Sequence, residues 1–329
     1  MSLKNASGIT DYDTNGGHLT EFSQDEVLIN RIFSEVNITS FNRAFNEMLE
    51  SGSMLVLITT PEAEKDKITL TPEKFKATWD EVKALDIKAQ ASGRILDKIL
   101  DKEPEGGKIA SRKAFQNVDG ELVTYSNGVR IFIKKNSVDK NRFLLSARKP
   151  GGSVLFDDET MVISEMMGKA ILASGFDGIS RRELNTFLAD KQASVSMNVG
   201  GNTFDFAGGG DSEDIETMFQ LLYKYITDPY IDENALSAII KSTENSLVNI
   251  EKDKNTLFFR EAAETMFNNK YRRGYMLLPD LEAVTSEKLM KMYKDNFLDV
   301  NNFVFVISGD VDADLTAELG RKYLGGLAK

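Results

Sequence analysis

The chain has 329 residues, of which 41% are hydrophobic, so it is long enough for about two domains with cores of their own. It has no cysteine and a single histidine, His18, which excludes disulfides and leaves too few imidazole and thiolate groups for a catalytic zinc site. The net charge of −11 argues against nucleic acid as the main partner, because phosphate binding needs a basic surface.

Cellular location is only loosely constrained by the sequence. No run of about 18 apolar residues is present, so no membrane span is predicted, and the first residues lack the apolar core of a signal peptide. We therefore expect a soluble protein of the periplasm or the cytoplasm. The lack of cysteine does not separate these two compartments.

Residues 1–60 predict helices followed by one strand. Ser23-Gln24-Asp25-Glu26 has the form of a capping box before a first helix. A second helix, ending at Gly52, is predicted from apolar residues at helical spacing: Phe41, Phe45, Met48 and Leu49. The apolar run from Met54 to Thr59 has the length of a strand. Such a piece cannot bury its own apolar side chains, so it predicts the C-terminal part of a preceding domain.

Residues 61–120 predict a helical connector. Lysine and glutamate dominate here, and Thr71-Pro72-Glu73 places a cap and a first-turn proline before a helix that reaches about Ala89. Glu103 to Gly107 is rich in glycine and proline, which indicates a loop.

Residues 121–329 predict an α+β domain. Asn127-Gly128 favours a type I′ turn between strands 121–125 and 129–135. Further strands are predicted at 143–148, 194–199, 203–207 and 303–308. Helices are predicted at 158–173, after the cap Ser180-Arg181-Arg182-Glu183, and at 212–227, 233–250, 256–268, 286–296 and 313–323. Antiparallel strands with helices in blocks indicate an antiparallel sheet with helices on one face.

Two segments raise the question of a binding site. Gly208-Gly209-Gly210-Asp211-Ser212 is glycine-rich but lacks the lysine of a phosphate loop, so we interpret it as a strand-to-helix turn capped by Asp211 or Ser212. Arg272, Arg273 and Tyr275 form the densest cluster of cations and aromatics. They are candidates for binding a peptide, since arginine holds carboxylates and carbonyls well; the alternative is a solvated loop.

Acidic residues on predicted helices offer a weaker possibility. A catalytic carboxylate pair is conceivable among four of them: Glu159, Glu165, Glu244 and Glu251. Solvated helix faces explain such residues more simply.

The order of motifs from Leu122 onward resembles a known family. An Asn-Gly hairpin, a strand that ends in Gly-Gly and a long helix are followed at the C-terminus by FVFVISGDVDADLTAELGRKYLGGL. This order resembles the pitrilysin/insulinase family of zinc metallopeptidases. The resemblance implies a two-layer α+β repeat like that of the processing peptidases, within paired halves that enclose a peptide-binding chamber. Residues 121–329 would be one repeat, and residues 1–60 the end of the preceding one.

The family's active repeat carries His-x-x-Glu-His on its first long helix, followed by a glycine. If Gly175 takes the place of that glycine, Met166 and Ala170 stand at the histidine positions and Lys169 at the general base. The third ligand of the family would fall near Ser246. The resemblance therefore implies no catalytic residue, metal ligand or cofactor in this chain, which alone is predicted to be inactive. Zinc is expected in the catalytic half of the parent.

Three hypotheses about function follow. In the first, the chain is a non-catalytic section of a larger zinc metallopeptidase and helps to hold peptide, by strand addition and in pockets. Its partners would be the catalytic half, on the same protein or on another subunit, and the peptide substrate. In the second, it is a structural or assembly subunit with the same fold, like the respiratory-complex core proteins of the family. The third is an unrelated α+β binding module.

Overall fold

A computed structural model describes residue 14 and residues 21–51, 55–57, 59, 71–85, 94–250, 252–267 and 275–328. The chain divides into two compact units, Met1–Lys88 and Ala89–Lys329. His18 lies outside the described residues. Within those residues, no helix has both the length and the apolar character that crossing a bilayer requires.

The described part of the first unit is helical. It contains α1 (Phe22–Glu35), α2 (Ile38–Ser51) and α3 (Pro72–Ala84). The predicted cap at Ser23 is wrong, because α1 begins earlier: the Gln24 side chain accepts a hydrogen bond from the Glu21 backbone N–H at 3.0 Å. Thr71 caps α3 as predicted, accepting from the Lys74 N–H at 3.3 Å, although α3 ends before the predicted position at Ala89.

The first unit buries none of its described side chains. Phe33 is 72% exposed on α1, and Phe41 is 60% exposed on α2. Of the predicted strand, Leu55 to Leu57 are described and lie outside regular secondary structure. A strand needs a hydrogen-bonded neighbour, and the described residues of this unit include no second strand.

The second unit is built on a seven-stranded sheet, which confirms the predicted α+β class. Its strands are β1 (Ile109–Phe115), β2 (Gly120–Tyr125), β3 (Arg130–Lys135), β4 (Arg142–Pro150), β7 (Ala193–Val199), β8 (Thr203–Asp211) and β9 (Val304–Gly309). A separate pair consists of β5 (Gly175–Phe176) and β6 (Ile179–Ser180). The order is β1-β2-β3-β9-β4-β8-β7, and only β3 and β9 run parallel.

Helices cover one face of this sheet. The helices of this unit are α4 (Asp158–Ser174), α5 (Arg181–Phe187), α6 (Ile215–Thr227), α7 (Glu233–Ile250), α8 (Lys254–Phe267), α9 (Ser286–Phe297) and α10 (Ala313–Tyr323), of which α4, α6 and α10 pack on the strands and α7 packs on α4. Along β4, Phe143, Leu145 and Ala147 are buried, whereas Leu144 between them is 69% exposed. This alternation, which strand geometry produces, places the core on a single face of the sheet.

Strand β1 lies within the segment that the sequence assigned to the connector. It pairs with β2, and the Arg112 guanidinium donates to both carboxylate oxygens of Glu121, at 2.9 and 2.6 Å, and to Asp314 at 2.5 Å. The central residues of β1 are exposed and polar, so no alternation marks them as a strand. The repeat boundaries predicted from the sequence stay a prediction.

The Asn-Gly hairpin forms where the sequence predicts it, but not through a type I′ turn. Tyr125 donates its N–H to Val129 O and Gly128 donates to Tyr125 O, each at 2.9 Å. Gly128 has a φ of +96° while Asn127 is not among the residues with positive φ, which gives a three-residue loop closed by a glycine. The Asn127 amide is buried and donates to Leu324 O at 2.8 Å, so it ties the hairpin to the C-terminal segment.

The triglycine segment is part of a strand and not a turn, which corrects the sequence interpretation. Gly208 to Gly210 belong to β8 between β4 and β7. A Cβ on Gly210 would lie 1.6 Å from the Gln192 carbonyl oxygen, so glycine is needed for close approach of the two backbones. Asp211 makes no capping hydrogen bond, and the Ser212 hydroxyl donates to Asp310 O at 2.5 Å.

Candidate functional site

Helix α4 has one buried face and one exposed face, and it begins at a capping residue. The Asp157 carboxylate caps the helix by accepting from the Thr160 N–H at 2.8 Å; this hydrogen bond and the one from the Thr160 hydroxyl lower the pKa of Asp157. Met166 and Ala170 lie in the core. Glu165 and Lys169 lie on the opposite, exposed face, with their charged groups 3.9 Å apart.

The predicted motif positions are therefore not brought together on one surface. Met166 is 1% exposed and Ala170 is completely buried, whereas the Lys169 side chain is 61% exposed. The residues one turn apart on the exposed face are Glu165 and Lys169. Glu165 and Lys169 each come one residue before Met166 and Ala170, the histidine positions that the alignment on Gly175 implies. The assignment of Met166, Lys169 and Ala170 to the positions of the zinc motif stays a prediction.

A cleft of about 930 Å³ opens beside this face of α4. It is bounded by α4, α7 and α8, and Val199 contributes the end of strand β7. Five serine and threonine side chains line it: Ser153, Ser164, Ser242, Thr243 and Ser246. The structure thus places Ser246, the position expected for the third ligand, in the same cleft as Lys169.

The outer strand of the sheet runs next to the cleft. β7 is the last strand in the sheet order, and among the described residues it pairs only with β8. Helix α4 lies close to it, since a Cβ on Gly168 would be 2.9 Å from the Met197 carbonyl oxygen. An edge strand beside a cleft is a geometry in which an extended peptide can add to a sheet.

Cationic side chains from three helices reach the cleft: Lys169, Arg181 and Arg260. The Arg260 guanidinium lies 4.2 Å from the centre of the Tyr275 ring, and the Tyr275 hydroxyl donates to Glu264. Burial raises the pKa of the Tyr225 hydroxyl, and the nearby Arg181 guanidinium opposes that shift. The positive charges in the cleft thus come from helices that are far apart in the sequence.

The residues predicted to bind peptide are placed only in part. Tyr275 lines the cleft, while Arg272 and Arg273 lie outside the described residues. Sequence reasoning missed Arg181 and Arg260 as cleft residues. Ser180-Arg181-Arg182-Glu183 was recognised as a helix start, and its capping box is confirmed, with the Ser180 N–H donating to Glu183 at 2.9 Å.

The other acidic candidates do not assemble into a site. Glu159 forms an ion pair with Lys288, and Glu244 is exposed on α7 without lining the cleft. Glu251 lies outside the described residues. Among the carboxylates that the structure describes, Glu165 alone lines the cleft.

The described cleft residues do not fit a zinc ion. Zinc needs about three nitrogen, sulfur or carboxylate ligands, and the described lining offers one carboxylate, paired with an ammonium group. Elsewhere in the described ranges, no three histidine, cysteine, aspartate or glutamate side chains stand close enough to hold a metal ion.

The fold and the cleft define a class: an α+β domain with helices on one face of a mostly antiparallel sheet and a cleft beside its last strand. No protein-family model matches the chain. A zinc protease PQQL-like protein of Arabidopsis thaliana is 25% identical over 263 residues, which are 79% of this chain and 24% of the relative. The probable zinc protease PqqL of Escherichia coli is 21% identical over 235 residues, 71% of this chain and 25% of that protein.

Two solved structures share the fold along the whole chain. The periplasmic protease PqqL from Escherichia coli matches with a TM-score of 0.62 and 20% identity, over 100% of this chain and 36% of that one. The ferredoxin protease FusC, in complex with Arabidopsis ferredoxin, matches with a TM-score of 0.59 and 15% identity, over the same shares of the two chains.

These comparisons confirm the resemblance predicted from the motifs. The chain is related to the PqqL-like zinc proteases, which are of the pitrilysin/insulinase type. It spans only 24% to 32% of the length of the curated relatives that it matches.

Proposed function

We propose that this chain is a non-catalytic section of a zinc metallopeptidase and forms part of its peptide-binding chamber. The parent protein would hydrolyse peptide bonds with zinc held in another section, on the same chain or on a partner subunit. This section would bind the peptide substrate and complete the chamber.

One observation carries the proposal: the long helix of a fold shared with zinc proteases directs Glu165 and Lys169 into the cleft, and the described cleft residues include no imidazole. A lysine ammonium is cationic at neutral pH and repels Zn²⁺. Ser246, across the cleft, supplies a hydroxyl in place of a carboxylate. The cleft beside the edge strand supports the proposal that this section holds a peptide, and the described cleft residues do not supply the zinc ligands of a peptidase.

The peptide would bind by adding a strand to β7, with its side chains in the cleft. Tyr275 supports this proposal by its place in the lining, and we include Arg272 and Arg273 as further contacts because they precede it in the chain. Pairing through the backbone does not depend on the peptide's sequence, so any selectivity would come from the side chains that enter the cleft.

The domain organisation proposed here is residues 1–60 as the end of a preceding repeat, 61–120 as a connector and 121–329 as the inactive repeat. In α2, apolar residues recur at every fourth position: Phe41, Phe45 and Leu49. In α9, residues with the same spacing are buried against the sheet: Leu289, Tyr293 and Phe297. Each helix is followed by an apolar run, Met54 to Thr59 after α2 and β9 after α9. This internal similarity supports a repeat.

Reconstitution tests the proposal. The chain is mixed with the section of the parent that carries His-x-x-Glu-His, and cleavage of a fluorogenic peptide is measured. We expect activity from the mixture and none from this chain alone. The control is the same mixture with alanine at the first motif histidine of the partner section.

Two outcomes would contradict the proposal. Zinc-dependent cleavage by this chain alone, with stoichiometric zinc that is lost when residues 165–170 are changed, would make it a catalytic unit. A complex that forms with the intact partner section yet cleaves no peptide would favour the structural or assembly subunit instead.

A further inference from the structure

We infer that the cleft between α4, α7 and α8 selects acidic peptide segments. The inference rests on the proposed function, in that a peptide has to occupy this cleft. It adds the charge class of the substrate, which the fold does not specify.

The charge of the cleft is opposite to that of the whole chain. The described lining residues include three cations, Lys169, Arg181 and Arg260, and one carboxylate, Glu165. The chain as a whole has a net charge of −11. Local excess of one sign in a concave site attracts ligands of the other sign, because the low-dielectric walls focus the field.

The three cations surround the cleft instead of forming one patch. Lys169 is on α4, Arg181 is the first residue of α5, and Arg260 is on α8. Glu165 faces Lys169 at 3.9 Å and offsets part of its charge, which leaves the two arginines as the main source of positive potential. A peptide in the cleft would meet cations on more than one side.

The setting of Arg260 suits a carboxylate. Its guanidinium lies over the Tyr275 ring, and a stacked guanidinium keeps its N–H donors in its own plane, at the edge, where a carboxylate can accept two of them. On α7, Ser242 and Thr243 add hydroxyl donors to the same cleft, whereas Ser246 donates its hydroxyl to Ser242 O at 3.0 Å. Hydroxyls and guanidinium groups together match an acidic side chain with a nearby peptide carbonyl.

Three fluorescently labelled peptides of equal length test the inference. They share one extended sequence in which alternate positions are glutamate, glutamine or lysine. Binding to the 329-residue chain is measured by fluorescence anisotropy at low and at high salt. We expect the glutamate peptide to bind about tenfold more tightly than the glutamine peptide at low salt, with a smaller gap at high salt because salt screens exposed charges.

Substitutions locate the effect. Arg260→Gln and Lys169→Gln should each weaken binding of the glutamate peptide by about three- to tenfold and leave the glutamine peptide within about twofold. Lys294→Gln is the matched control, since Lys294 is an exposed lysine of α9 outside the cleft and should change neither affinity. Circular dichroism confirms that each variant is folded.

The possible failures are distinguishable. Equal binding of the glutamate and glutamine peptides, or tightest binding of the lysine peptide, would overturn the preference for acidic segments and leave peptide binding intact. If none of the three peptides binds, the peptide-binding role itself fails, and the inference fails with it.

Discussion

On helix α4, a shift of one residue moves a side chain between the core and the cleft. Met166 and Ala170 pack under the sheet, and their neighbours Glu165 and Lys169 lie in solvent with side chains 63% and 61% exposed. A helix turns by 100° per residue, so a register chosen from sequence alone can point to the wrong face. The structure therefore changes which residues of this helix could meet a ligand.

Two histidine pairs test this register directly. Glu165→His with Lys169→His places two imidazoles one turn apart in the cleft; we expect measurable Zn²⁺ binding and a change of less than about 0.5 kcal/mol in the free energy of unfolding. Met166→His with Ala170→His puts two polar rings into the core and should lower that free energy by about 3 kcal/mol or more. Calorimetric zinc titration and urea unfolding measure both, and the opposite pattern would show that the register is wrong.

At the scale of elements, the sequence predicts best those caps and turns that depend on neighbouring residues in the chain. The cap at Thr71, the capping box at Ser180 and the Asn-Gly hairpin depend on a few adjacent residues, and each forms. Strand β1 was missed because its partner β2 and the carboxylate of Asp314 hold it in place, not its own pattern. The cleft was missed for the same reason, because Arg181 and Arg260 come to line one cleft only after the chain has folded.

The glycines of β8 show that contacts between residues distant in the sequence determine whether a segment forms a strand. Gly210→Ala would place its Cβ 1.6 Å from Gln192 O, so β8 or the neighbouring chain has to move, and we expect a loss of about 2–4 kcal/mol in the free energy of unfolding. Gly201→Ala is the matched control, since nothing lies within 4 Å of its Cβ, and it should change the value by less than about 0.5 kcal/mol. Equal effects in urea unfolding would contradict this account of the strand.

At the scale of the whole molecule, the two units differ in how they can be stable. In the second unit, residues from the loop before β1 join the sheet domain: Ile99 is 2% exposed, the Arg94 guanidinium donates to Gly178 O at 2.9 Å, and Gly107 donates its N–H to Arg321 O at 2.9 Å. The described part of the first unit buries no side chain. Burial of apolar surface is the main source of folding stability, so among the described residues the second unit supplies most of it.

Removal of residues 1–88 therefore tests the division into units. The shortened chain, 89–329, should unfold in one cooperative transition with a free energy within about 1 kcal/mol of that of the full chain, because the core and the segment that joins it are both retained. It should also bind less of a dye that detects apolar surface, because the exposed apolar residues of α1 and α2 are gone. Removal of residues 1–108 is the contrasting change: it deletes Ile99 and Arg94 and should lower the free energy of unfolding by several kcal/mol. If both truncated chains have the same free energy of unfolding, the segment 94–108 does not stabilise the domain. The assignment of this segment to the second unit would then be contradicted.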